Sequence, residues 1–136
     1  STTNLALTEC IQHLRNIDEA VHAVFHSNSN FEFKFSSSEI VNSRLKLIET
    51  HLEFHLNELE MLFRRPLFFQ AGDIFRKISR LKGKLNFFSK LLSEDPLTAK
   101  GYWEEELAVE YHDIFPAISQ EIKSIGEQHS AKPVMS

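Results

Sequence analysis

The sequence predicts an all-α protein, an antiparallel four-helix bundle, and three observations carry that prediction. Four segments repeat apolar residues at three- and four-residue steps, the spacing that lines one face of a helix. Polar or proline-containing breaks divide them: Ser27-Asn28-Ser29-Asn30, Pro66 and Ser93-Glu94-Asp95-Pro96. The 136 residues suit one domain that buries a core without staples, and short connections make successive helices antiparallel neighbours. Helices are expected at about 4–26, 37–65, 67–93 and 97–126, in a single domain at 1–127 followed by a disordered tail at 128–136.

Helix one carries Leu7, Ile11, Leu14, Val21 and Phe25 on one stripe, widened by Ile17 and Val24. It stops at the Ser-Asn cluster, whose short side chains bond their own backbone and favour turns. Phe31-Glu32-Phe33-Lys34-Phe35 then alternates strictly, which is a strand pattern. Without a strand partner in a helical chain, it reads as an extended connector laid over one end of the bundle. The second reading is a pairing edge for another copy or another protein.

Helix two begins among Ser36, Ser37 and Ser38, where Ser36 and Glu39 have capping-box spacing. It ends before Pro66, because proline disfavours helical geometry at the preceding residue. Its stripe is Val41, Leu45, Ile48, Leu52, Leu59 and Leu62, interrupted by His55 where a further leucine is expected. A polar group on a core-facing stripe must find a partner or lose solvation energy.

Helix three has the most regular series, Ala71, Ile74, Ile78, Leu81, Leu85, Phe88 and Leu92, with Phe75, Phe87 and Leu91 beside it and Gly72 and Gly83 in its interior. Helix four presents Trp103, Leu107, Tyr111, Ile114, Ile118, Ile122 and Ile125. Pro116 lies within that run and predicts a kink or break near Phe115.

Composition bounds the function classes. Apolar residues make up 42% and charged residues 25% of the chain, as in soluble globular proteins, but phenylalanine occurs 12 times, so aromatic rings are expected to fill much of the interior. The single cysteine, Cys10, has no internal disulfide partner, and no signal-peptide pattern opens the chain. A reducing, cytoplasmic location is the expectation. No run reaches the roughly 18 apolar residues of a membrane span. A net charge of −4 disfavours a dedicated nucleic-acid binder.

Phosphate loops, paired CxxC motifs and nucleophile elbows are absent from the sequence, as is any acid and base pair that suggests catalysis. An enzyme is disfavoured. The first candidate site is instead metal-like. Arg44, His51, His55 and Glu58 fall within about 60° of arc on helix two, and imidazoles four residues apart can share a metal with a carboxylate. Asp18, His22 and His26 on helix one, with Glu104, Glu110, His112 and Asp113 on helix four, could complete it. The candidate metal ligands are therefore His51, His55, Glu58 and His22, holding metal or haem. Such a site resembles hemerythrin-like or ferritin-like bundles in general plan, although helix three has no histidine. The competing expectation is that His51 and His55 are hydrogen-bonded structural residues with no cofactor.

Ser79-Arg80-Leu81-Lys82-Gly83 resembles the His-x-Leu-Lys-Gly core of histidine phosphotransfer domains, which are four-helix bundles. Lys82 and Gly83 match, and Ser79 stands where the phosphoryl-carrying histidine belongs. The resemblance implies a pseudo-phosphotransfer module that binds a signalling partner without chemistry. Arg44 and His51 have the Arg-x6-His spacing of HEPN ribonucleases, but Leu45 replaces the polar residue that follows the arginine in that family.

Charge is also segregated. Arg64, Arg65, Arg76, Lys77, Arg80, Lys82, Lys84 and Lys90 face only Asp73 within 64–90, whereas Glu104, Glu105, Glu106, Glu110 and Asp113 crowd helix four. Complementary neighbours within the bundle are one reading. A basic face at Arg76, Lys77, Arg80 and Lys82 that docks an acidic partner protein is the other. The expected function is a non-enzymatic regulatory or adaptor module working by protein–protein interaction, as a homodimer or with another protein. A metal- or haem-binding sensory bundle is the alternative.

Overall fold

The computed structural model describes residues 2–25, 39–65 and 72–131. They form an all-α, antiparallel four-helix bundle with no strand among the described residues. Helix α1 is Thr2–Phe25, α2 is Glu39–Phe63 and α3 is Asp73–Glu94. The fourth rod is α4, Pro96–Tyr102, a π-helical stretch at Trp103–Leu107, and α5, Ala108–Ala131. Each rod packs on its two neighbours, α1 on α2 and α5, and α3 on α2 and the fourth rod. Opposite directions follow from the contacts: Phe63 meets Phe75 while Leu45 lies near Leu92, and Lys84 meets Glu110 while Phe88 meets Trp103.

The expected stripes are the core. Leu7, Leu14, Ile17 and Val21 of α1, Ile48, Leu52 and Leu59 of α2, and Ile78, Leu81, Leu85 and Phe88 of α3 are all buried. Leu56 joins them. The side chains of Val41 and Ile125, and all of Ala71, lie outside the described residues, as do His26 and the Phe31–Phe35 segment.

Phenylalanine does not dominate this interior. Among its described copies only Phe25 and Phe88 are buried, while Phe54 and Phe87 are exposed. Leucine and isoleucine make up most of the core, and the rings within it are Phe25, Phe88, Trp103 and Tyr111.

Two helix boundaries differ from expectation. Helix three starts at Asp73, not near residue 67, and Gly72 precedes it at φ +51°. A left-handed residue cannot continue a right-handed helix, so this glycine lies before α3 and is not an interior residue. Helix four continues through Pro116 to Ala131, so the proline does not break it, and it runs past the expected end at Gly126. Pro116 is exposed, as is His112, whose carbonyl the missing N–H would have bonded, so water can satisfy that carbonyl.

A further irregularity in the fourth rod, the π-helical stretch, falls at Trp103–Leu107. Ala99, Trp103, Leu107 and Tyr111 are all buried and are separated by three successive steps of four. In an ideal α-helix those steps overshoot the core by about 120° in total. One wider π turn absorbs an extra residue and restores all four to the core side. Asp95 caps the rod, its carboxylate accepting from the Thr98 N–H at 3.3 Å and the Thr98 hydroxyl at 2.6 Å, with Pro96 in the first turn. Those bonds hold the Asp95 carboxyl below its ordinary pKa.

Candidate functional site

His55 is 7% exposed, the one buried polar or charged residue among the described residues. It faces α1, where His13 projects from the flank of the Leu14 stripe. Their Nδ1 atoms lie 2.7 Å apart, with ring centroids 4.9 Å apart. One Nδ1–H donates and the other Nδ1 accepts, which places the accepting ring's proton on Nε2. Burial, and then the proximity of His13 and His51, push the His55 pKa down to about 4, so His55 is neutral at pH 7.

Two further rings lie beside the pair. Phe54 sits edge-on to His55 at 5.0 Å and 6.5 Å from His13, and His51 lies nearly parallel to His55 at 6.1 Å. The interruption of the leucine stripe thus has its partner. Sliding α1 against α2 by one residue would separate the two nitrogens and strand a buried polar group, so the pair favours one register.

The sequence-derived metal set is only partly gathered. His51 and Glu58 are half-buried one turn to either side of His55. His22 is nine residues beyond His13, roughly 13 Å farther along α1, and contacts Asp18 of its own helix at 3.2 Å. Glu19 and His22, which have Glu-x-x-His spacing, are both exposed. Among the described residues no group of three or more His, Cys, Asp or Glu side chains is placed to hold a metal. His13 is the residue that sequence reasoning missed. Periodicity put it beside a stripe, but only the pairing of α1 with α2 shows what it meets.

The basic residues of α3 do not share one face. At about 100° per residue, Arg76, Lys77, Arg80 and Lys84 lie toward α5, whereas Lys82 points the other way. Arg80 reaches Glu110 at 3.3 Å, and Lys84 bridges Glu110 at 2.7 Å and Glu106 at 3.2 Å. Arg76 pairs with Asp73 in the first turn of α3, and the Lys82 ammonium sits 5.6 Å from the Phe63 ring centroid. Much of the segregated charge therefore complements neighbours within the bundle. Ser79 and Gly83 are exposed on the same helix.

Two buried polar atoms have no hydrogen-bond partner among the described residues, Trp103 Nε1 and the Tyr111 hydroxyl. Their rings are 5.4 Å apart, and burial raises the Tyr111 pKa well above its ordinary value.

An exposed apolar line lies on the outer side of α2. Leu47, Phe54 and Met61 are 56%, 56% and 62% exposed, and they are three of only seven large apolar side chains so exposed among the described residues. Each is seven residues from the next, so they form one line along the helix that drifts by about 20° per step. Phe54 belongs to both features, since it is 56% exposed and its ring makes T-shaped contacts with His13 and His55.

Among the described residues no helix is long and apolar enough to cross a membrane. Comparison of the chain with protein-family models, with curated proteins and with solved structures finds no match in any of the three.

Proposed function

We propose that this protein is a non-enzymatic regulatory or adaptor module that binds another protein through the outer face of α2. The observation that carries this reading is the line of three exposed apolar side chains, Leu47, Phe54 and Met61, recurring every seven residues on the surface of the bundle with polar residues between them. Helix faces of this kind dock other helices by their i and i+7 anchors. The α2 strip is preferred to the basic residues of α3 because Arg80 and Lys84 are engaged by Glu106 and Glu110.

Affinity capture from cell extract tests it. Serine at positions 47, 54 and 61 should abolish specific capture, whereas charge reversal at Arg76, Lys77 and Arg80 should leave it intact. Capture that ignores the α2 changes would refute the reading.

The alternative, a metal- or haem-holding sensory bundle, is favoured by one observation, the convergence of His13 and His55 nitrogens from two helices. Two imidazoles leave the remaining coordination positions to water or a further ligand. Elemental analysis and an absorption spectrum of untagged protein distinguish the two, since stoichiometric metal or a Soret band would establish the sensory reading.

A further inference from the structure

We propose that the seam between α3 and the fourth rod binds an arginine side chain of a partner protein. The site is separate from the α2 face and stands without it. A groove of about 460 Å³ runs along this seam, and its lining includes Phe87 and Leu91 of α3 with Gly101, Tyr102, Glu105 and Glu106 of the fourth rod. Spacings of three and four residues bring each set to one side of its helix.

The ring centroids of Phe87 and Tyr102 are 5.1 Å apart and their planes stand at 71°. Such a contact takes up one face of one ring, and Phe87 is still 50% exposed, so aromatic surface is left to the groove. Ring faces carry the negative part of the quadrupole and attract cations. Gly101 supplies room, since a Cβ there would meet nothing within 4 Å.

Charge on the seam has the same sign. Arg80 and Lys84 engage Glu110, Lys84 also engages Glu106, and Lys100 pairs with Glu104. Against these three cations stand four carboxylates, Glu104, Glu105, Glu106 and Glu110. The surplus is Glu105, which is exposed and has no ion pair among the described residues. Farther along the seam Lys77 is offset by Asp113, and Lys90 by Glu94 four residues on, so the surplus persists.

A guanidinium can stack on a ring and fork to a carboxylate at once, whereas an ammonium is a compact, strongly hydrated point charge. An open groove buries too little of a free small molecule to hold it. A side chain carried by a polypeptide gains further contacts from its neighbours, which makes a protein's arginine the fitting occupant.

NMR titration of the aromatic resonances with a capped five-residue peptide, one arginine between alanines, tests the site. The peptide should shift the Phe87 and Tyr102 rings saturably, and versions with lysine or uncharged citrulline should bind several-fold more weakly. Glu105→Gln should weaken binding several-fold, while Glu53→Gln, the same charge change on α2, should not. Gly101→Leu should keep the helix, because leucine is the better helix former, and should block the groove.

Shifts that do not saturate, equal binding of the citrulline peptide, or binding indifferent to both Glu105→Gln and Gly101→Leu would overturn the proposal. Tighter binding of tetramethylammonium than of the arginine peptide would overturn it in favour of a small quaternary ammonium ligand.

Discussion

The Nδ1 atoms of His13 and His55 meet at 2.7 Å across the α1–α2 interface, with the Phe54 ring centroid 5.0 Å from that of His55. Because His55 is buried, this contact ties the charge state of one imidazole to the packing of two helices.

Stability should therefore fall in mild acid. His55 has a pKa of about 4 in the folded protein against about 6.5 in an unfolded chain. Between those values the unfolded state binds a proton that the folded state does not, so acidification favours unfolding. The loss begins near pH 6.5, is complete below pH 4, and amounts to at most about 3 kcal/mol. Denaturant titrations of wild type and His55→Leu across that range isolate the effect. The difference between them should shift steadily toward the variant as pH drops, and a constant difference would refute the linkage.

Removing an unsatisfied hydroxyl should not harm the core. Tyr111→Phe deletes a buried oxygen that has no partner among the described residues and keeps the ring contacts with Trp103 and Phe115. A neutral to stabilising change of up to about 1 kcal/mol is expected. A thermal melt showing a clear loss instead would reveal a hydrogen bond to that oxygen.

Two glycines in one region should respond with opposite signs. Alanine at Gly72 must adopt φ +51° and should destabilise by about 1 kcal/mol. Alanine at Gly83 meets open space within α3 and should stabilise by up to about 1 kcal/mol. Equal effects in chemical denaturation would argue against the boundary at Asp73.

Lys84 should be energetically coupled to Glu110. Its ammonium bridges Glu110 and Glu106, and hydrogen bonding to Glu110 chiefly raises its pKa. A double-mutant cycle of Lys84→Met and Glu110→Gln should return a coupling of about 0.5–1 kcal/mol that weakens in high salt. No coupling at low salt would reduce the contact to incidental proximity.

Periodicity made most of the architecture readable. Heptad spacing in α3 and the recurring leucines and isoleucines of α1 and α2 named nearly the whole observed core, because one buried face per helix is a local property of the chain. Breaks were less legible. Pro116 allowed either a kink or a break, and the helix runs through it unbroken, while three steps of four ending at Tyr111 concealed a π turn that only the demand for a common core enforces.

The candidate site divides along the same line. His55 stood out because it broke a pattern within its own helix. Its partner His13 is 42 residues away, and which residue opposes it depends on the register of one helix against another, a quantity set by packing over the full length of both. The strip of Leu47, Phe54 and Met61 was equally hidden, since a heptad of apolar residues looks like core until a different face of the same helix is seen to be buried. Local sequence decides which residues form a helix and which of its sides is greasy. Three-dimensional packing decides which greasy side is covered, which is left open to a partner, and which polar atoms end up face to face.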